Sequence, residues 1–139
     1  MQNIHATSVC LNNKGILILG KSGSGKSDLA LRLIEQAGAL LIADDRTDLQ
    51  EENKALYASC PEVLKGLLEV RGIGIVKKPM IEKAKIELVV ELTNTLRDIE
   101  RLPEKQFWEC EKIKIKKIKI YPFEPSAIYK VRLACDEKA

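Results

Sequence analysis

The chain has 139 residues, of which 45% are apolar and 31% charged. That balance is ordinary for one soluble globular domain, long enough to bury roughly two-thirds of its unfolded surface. A net charge of +3 is too small to make nucleic acid or a membrane surface the main partner, and no apolar run reaches the length of a membrane span or follows a basic leader, so a cytoplasmic protein with neither partner is expected.

Residues 4–11 alternate, with Ile4, Ala6, Ser8 and Cys10 on one side and His5, Thr7, Val9 and Leu11 on the other. Asn12-Asn13-Lys14-Gly15 follows as a turn signal, predicting a β-hairpin whose second strand is Ile16-Leu17-Ile18-Leu19. That run is wholly apolar, as a strand buried on both faces is. Gly20-Lys21-Ser22-Gly23-Ser24-Gly25-Lys26-Ser27 comes next and fits G-x-x-x-x-G-K-[ST] at each fixed position. A chance match in a chain this short is about one in a hundred. The glycines allow the backbone to curl its N–H groups inward, making an anion nest at the positive end of a helix dipole. Lys26 brings an ammonium to the outer phosphates, and the Ser27 hydroxyl can ligate Mg²⁺. Leu29, Ala30, Leu33, Ile34 and Ala37 then share a helical face, opposite Asp28, Arg32, Glu35 and Gln36, with Gly38 at the C-cap position. Strand, loop and helix together point to a bound nucleoside triphosphate.

The entry through a hairpin is unusual, because phosphate loops are ordinarily reached from a parallel strand. His5 is expected on a strand beside the loop's own strand, where a lone histidine is either a structural residue or a catalytic one. Ala39–Ala43 is a second buried strand and ends in Asp44-Asp45. Two adjacent carboxylates at a strand end point in different directions, so one can accept a proton while the other holds Mg²⁺. The alternative is a polar Asp-Asp-Arg turn. A second hairpin is expected from Leu49–Glu51 and Ala55–Ala58, then a helical turn over Pro61–Lys65 capped by Ser59. In the apolar stretch Leu67–Val76, Glu69 and Arg71 are two apart and would share one strand face, either as an ion pair or as metal ligand and phosphate clamp.

Residues 77–85 read as a loop or short helix, and Ile86–Leu92 as a strand. Residues 93–112 are polar, with a helix expected at 95–102 before Pro103. Ile113, Ile115, Ile118 and Ile120 alternate with lysines as in a half-buried strand, with a bulge expected at Lys116-Lys117. Tyr129, Val131, Leu133 and Cys135 read as a last strand, with Lys130 and Arg132 on its opposite face. Cys10, Cys60, Cys110 and Cys135 lack any C-x-x-C spacing and read as buried thiols.

His5, the loop Gly20–Ser27, Ala43-Asp44-Asp45-Arg46 and Leu68-Glu69-Val70-Arg71-Gly72-Ile73-Gly74-Ile75 occur in this order within residues 4–92. The set resembles the catalytic domain of HPr kinase/phosphorylase, the bacterial enzyme that phosphorylates a serine of the phosphocarrier protein HPr. The resemblance implies an α/β fold: a mixed central β-sheet with a P-loop and following helix, around a phosphoenolpyruvate-carboxykinase-like core. It implies one catalytic domain over residues 1–139, ATP and Mg²⁺ as cofactors, and an HPr-type carrier as the protein partner. Catalytic roles would fall to Asp44, His5, Lys26 and Arg71, with Asp44 as the base that takes the serine proton. ATP would be held by Gly20, Lys21, Ser22, Gly23, Ser24, Gly25, Lys26 and Ser27, and Mg²⁺ by Ser27 and Glu69 with Asp45 close by. Long members of the family are hexamers, so a homo-oligomer is expected.

Three departures bear on direction. Relative to long members, the N-terminal domain and the C-terminal helices are expected to be missing, and Tyr121–Ser126 contains no arginine where long members carry a catalytic one. The chain is similar in this to short, single-domain proteobacterial members. Lys130 and Arg132 are candidate substitute cations. Because the phosphorylase reaction holds two anions side by side, the kinase direction is expected to dominate. Two other functions stay open, a small-molecule kinase on the same scaffold and an ATP-binding regulatory module that transfers nothing.

Overall fold

The computed structural model describes residues 1–136. Its elements in chain order are β1 (Gln2–His5), β2 (Thr7–Leu11), β3 (Lys14–Leu19), α1 (Lys26–Ala37), β4 (Leu40–Ala43), β5 (Arg46–Glu52), β6 (Ala55–Ser59), β7 (Leu67–Val70), β8 (Gly74–Lys77), β9 (Lys83–Leu92), β10 (Gln106–Cys110), β11 (Ile113–Ile120) and α2 (Ala127–Asp136). A mixed sheet runs β1-β5-β6-β9-β3-β2-β4, with β11 parallel to β9 and β10 antiparallel to β11. β7 and β8 form a separate antiparallel hairpin.

β3 is central, antiparallel to β2 and parallel to β9. Its apolar run is explained by two cores, one on each face of the sheet. Ile16 and Ile18 enter the core under α1 and α2, built from Leu29, Leu33, Leu88, Val90, Ile128 and Val131 among others. Leu17 enters the second core with Ile42, Leu49, Leu56, Val89 and Ile115. α1 begins and ends where expected, with Gly38 in the left-handed region donating its N–H to Leu33 O.

Residues 4–11 are not one strand. The chain breaks at Ala6, so β1 pairs with β5 while β2 joins β3 and β4, buried at each of its residues. His5 therefore lies on β1, beside β5 and not beside the loop's own strand. The turn at Asn12-Asn13, with φ of 50° and 66°, closes the expected hairpin, and Asn53-Lys54 closes the second. A 3-10 turn occupies Glu62–Leu64, but its N-cap is Pro61 and Ser59 ends β6. Residues 77–85 hold no helix: β8 runs through Lys77, Met80 bridges to Leu41, and β9 has begun by Lys83.

In place of a helix over 95–102 the chain makes a 3-10 turn at Leu96–Asp98, and β10 follows within the same polar region. The β10–β11 register is unbroken, so Lys116-Lys117 is not a bulge. Ile113 and Ile115 pack on one core while Ile118 and Ile120 pack on the other. The bulge lies in β9 instead, where Gly15 pairs with Ile86 and Ile16 with Leu88, skipping Glu87. The expected last strand is the helix α2, burying Ala127, Ile128, Val131 and Cys135 and exposing Tyr129 and Leu133. The four cysteines are buried and unbonded to one another.

Candidate active site

The loop that leaves β3 enters α1 with Gly23 at φ 79° and Gly25 at φ 102°, a conformation that disfavours side chains. Gly25 is the N-cap and supplies no side chain, so the first-turn amides of α1 stay open to an anion. Lys26 is 6% exposed, and its ammonium donates to Gly20 O at 2.8 Å and Lys21 O at 3.0 Å, closing the loop on itself. Ser24 Oγ is buried in the loop with no hydrogen-bond partner.

At the end of β4 the two carboxylates separate as expected. Asp44 is 9% exposed and accepts three hydrogen bonds: from Ser27 Oγ at 2.6 Å, from Thr7 Oγ1 at 3.0 Å, and from the Glu69 N–H at 3.0 Å. It thus ties the phosphate loop to β2 and to the β7–β8 hairpin. Asp45 turns the other way, its side chain 66% exposed, with Oδ1 at 3.1 Å from His5 Nε2. Its φ is 67°, and Arg46 N–H donates to Asp44 O at 2.7 Å, so the backbone makes a tight γ-turn. Strained turns of this kind cost on the order of 1–3 kcal/mol and collect at functional sites.

Thr7 is the residue that sequence reading missed. It is fully buried, and its hydroxyl both donates to Asp44 and accepts the Asp45 N–H at 3.2 Å, fixing the two acids relative to each other. The only sequence signal is a hydroxyl two positions after His5 in a run that is otherwise largely apolar. Ser8 and Thr47 continue the polar seam, with hydroxyls 3.0 Å apart and Thr47 donating to Ala6 O.

A cleft of about 510 Å³ opens beside these groups, lined by Ser22, Gly23, Gly25, Lys26 and Ser27 of the loop region, by Asp44, Asp45, Glu69 and Arg71, and by Asp28, Leu31, Val70 and Phe123. His5 reaches it through Asp45, while Gly20 and Lys21 support Lys26 from behind. Glu69 and Arg71 both line it but do not share a strand face, because β7 ends at Val70 and Arg71 stands in the turn. Lys130 and Arg132 do not line it. They stand on α2, where Lys130 pairs with Glu124.

The oxygen donors suit Mg²⁺, which usually takes one or two carboxylates and completes its shell with waters and substrate phosphates. Ser27, Asp45 and Glu69 could supply such a partial set. Among the described residues no group of three or more His, Cys, Asp or Glu forms a complete cage. The residues fit a metal that arrives with a nucleotide.

The chain matches the HPr Serine kinase C-terminal domain over residues 1–128. It is 36% identical over 132 residues to the HPr kinase/phosphorylase of Clostridium botulinum (strain Eklund 17B / Type B), covering 88% of this chain and 43% of that protein. It is 39% identical over 114 residues to the HPr kinase/phosphorylase of Lactiplantibacillus plantarum, covering 76% and 34%. The chain therefore spans less than half the length of these curated relatives. Among solved structures, the Hpr(Ser) kinase/phosphatase from Coxiella burnetii superimposes with a TM-score of 0.83 at 27% identity, over 99% of this chain and 100% of that one.

Proposed function

The chain belongs to the HPr serine kinase C-terminal domain family, and on that premise we propose that it is an ATP- and Mg²⁺-dependent kinase that phosphorylates a serine of an HPr-type phosphocarrier protein. The observation that carries this reading is the meeting, in one cleft, of an open anion nest with Lys26 and the tandem acids Asp44 and Asp45. The proposal covers residues 1–139 as one catalytic domain with a phosphoenolpyruvate-carboxykinase-like core. Entry to the loop by an antiparallel hairpin supports that core.

A serine hydroxyl is a poor nucleophile, and a positioned base contributes typically 10²–10⁴-fold. A carboxylate has about four acceptor positions, and Asp44 uses three of them on Ser27, Thr7 and Glu69. We therefore assign the proton acceptor to Asp45, which faces the cleft and is held by His5. Asp44, which the resemblance implies as the base, is proposed instead to have a positioning role, holding Ser27 and the β7–β8 hairpin in place. The loop amides bind the phosphates, Lys26 leaves its two carbonyls to meet the outer ones, and Arg71 approaches from the hairpin turn. Mg²⁺, when bound, would neutralise charge on the transferring phosphoryl group, held by Ser27 and Glu69 with Asp45 beside it.

Lys26 and Arg71 are the cations among the described cleft-lining residues. Two cations support one nucleotide with its metal better than two separate anions, so phosphate-driven dephosphorylation is proposed to be weak. Self-association belongs to the same proposal, and Tyr129 and Leu133 on the outer face of α2 offer apolar surface for it.

The test is incubation with γ-labelled ATP, Mg²⁺ and HPr-type carriers. Label on a carrier serine is expected. Label on a metabolite with no carrier present would point to a small-molecule kinase, and ATP binding without any transfer to a regulatory module.

A further inference from the structure

We propose, resting on the nucleotide reading above, that Phe123 is the platform on which the nucleobase of the bound nucleoside triphosphate stacks. Phe123 is the one aromatic residue on the described cleft wall, and it stands 56% exposed. It also touches the phosphate loop: a Cβ placed on Gly25 would lie 3.4 Å from its Cε1 and Cζ. The ring is therefore one residue away from Lys26, beside the start of the anion nest.

Charge chooses which half of the nucleotide meets it. The nest takes the phosphates, and the nucleoside must leave through the same cleft. Asp44, Asp45 and Glu69 supply much of the remaining wall, and a flat apolar base gains little against carboxylates. Leu31, Val70 and Phe123 are the apolar lining, and only Phe123 offers a π-face.

The ring is fixed in advance, which lowers the cost of binding. Arg32 of α1 donates to Pro122 O at 2.6 Å while also bonding Asp28, so the loop after β11 is latched to the helix that carries the nest. Tyr121 packs against Phe123 in a T-shaped pair, with centroids 5.6 Å apart and planes at 81°, while Phe123 still lines the cleft. Ala127 N–H donates to Glu124 O, and Glu124 pairs with Lys130, anchoring the far end of the loop to α2.

The experiment measures equilibrium binding of Mg-ATP and of Mg-tripolyphosphate, which has the phosphates but no base, to wild type, Phe123→Ala and Phe123→Trp. Base–aromatic stacking predicts that Phe123→Ala weakens ATP binding about tenfold while changing tripolyphosphate binding by less than about twofold. Phe123→Trp should restore ATP affinity, and its fluorescence should be quenched by ATP and not by tripolyphosphate. Unchanged ATP affinity in Phe123→Ala overturns the inference, and so does an equal loss for both ligands, which would make Phe123 a mere support of the loop. Wild type that binds neither ligand refutes the nucleotide reading itself, and this inference with it.

Discussion

Replacing Thr7 with valine isolates the contribution of one hydroxyl. The side chain is fully buried and valine has nearly the same shape, so the change is the loss of two hydrogen bonds, one to the Asp44 carboxylate and one from the Asp45 N–H. A hydrogen bond to a charged group contributes about 1.5–3 kcal/mol, and a buried N–H left without an acceptor costs about 1–3 kcal/mol. Better burial of the added methyl offsets up to about 0.8 kcal/mol. A net loss of about 2–6 kcal/mol follows, lowering the melting temperature by roughly 5–20 °C. The kinetic signature is separate. Asp44 retains Ser27 and the Glu69 amide, and the loop is untouched, so the KM for ATP should change by less than about threefold. The spacing of Asp44 and Asp45 is no longer fixed, and kcat should fall about ten- to a hundredfold, as a misplacement near 1 Å does. Thr7→Ser keeps the hydroxyl and should recover most of kcat. Thermal unfolding by circular dichroism and steady-state transfer to the carrier measure both quantities. A Thr7→Val protein that melts lower but retains kcat would show the hydroxyl to be structural only, and one unchanged in both would refute the coupling altogether.

Lys26→Ala should abolish transfer and weaken ATP binding, since no other loop residue pointing into the cleft carries a cation; full activity would show the loop to be a decoy. Mg²⁺ without nucleotide should bind only weakly, at millimolar concentrations or above by calorimetry, and Ser27→Ala should raise the Mg²⁺ needed for half-maximal rate, because the protein offers an incomplete oxygen set. Tight binding of the bare ion would contradict this. Burial pushes the thiols of Cys60 and Cys135 up to about 11, with Asp48 adding to the effect at Cys60, and raises Cys10 and Cys110 as well. At pH 8 a thiol titrating near 11 is about 0.1% thiolate, so alkylation of the native protein should be slow and that of the unfolded protein complete. Because the folded thiols hold their protons more tightly than the unfolded ones, stability is full below about pH 9 and should decline toward pH 11, which denaturant titrations at the two ends of that window would detect.

Much of the fold follows from local chemistry in the sequence. Ile16–Leu19 can only be a strand covered on both sides, Gly25 and Gly38 bracket the one amphipathic helix that reads clearly, and Asn12, Asn13 and Asn53 supply turn residues that tolerate positive φ. The site's parts were legible for the same reason, since the loop pattern, the tandem acids and the Glu69–Arg71 stretch are each local. What tertiary structure decided is where two local readings were equally good. In Ala127–Asp136, Tyr129, Val131, Leu133 and Cys135 satisfy a period of two, while Ile128, Val131 and Cys135 satisfy a helical one. Only the open face of the sheet beside α1, which needs the second set, chooses the helix. β10 is invisible because its turn, Glu111-Lys112 at φ 52° and 64°, has none of the residues that favour such angles, and pairing with β11 imposes them. The Thr7 clamp and the His5–Asp45 contact join residues 37 to 40 positions apart in the chain, across the break at Ala6. A side chain's partner across a sheet is set by register, and register is fixed only when both cores are filled at once.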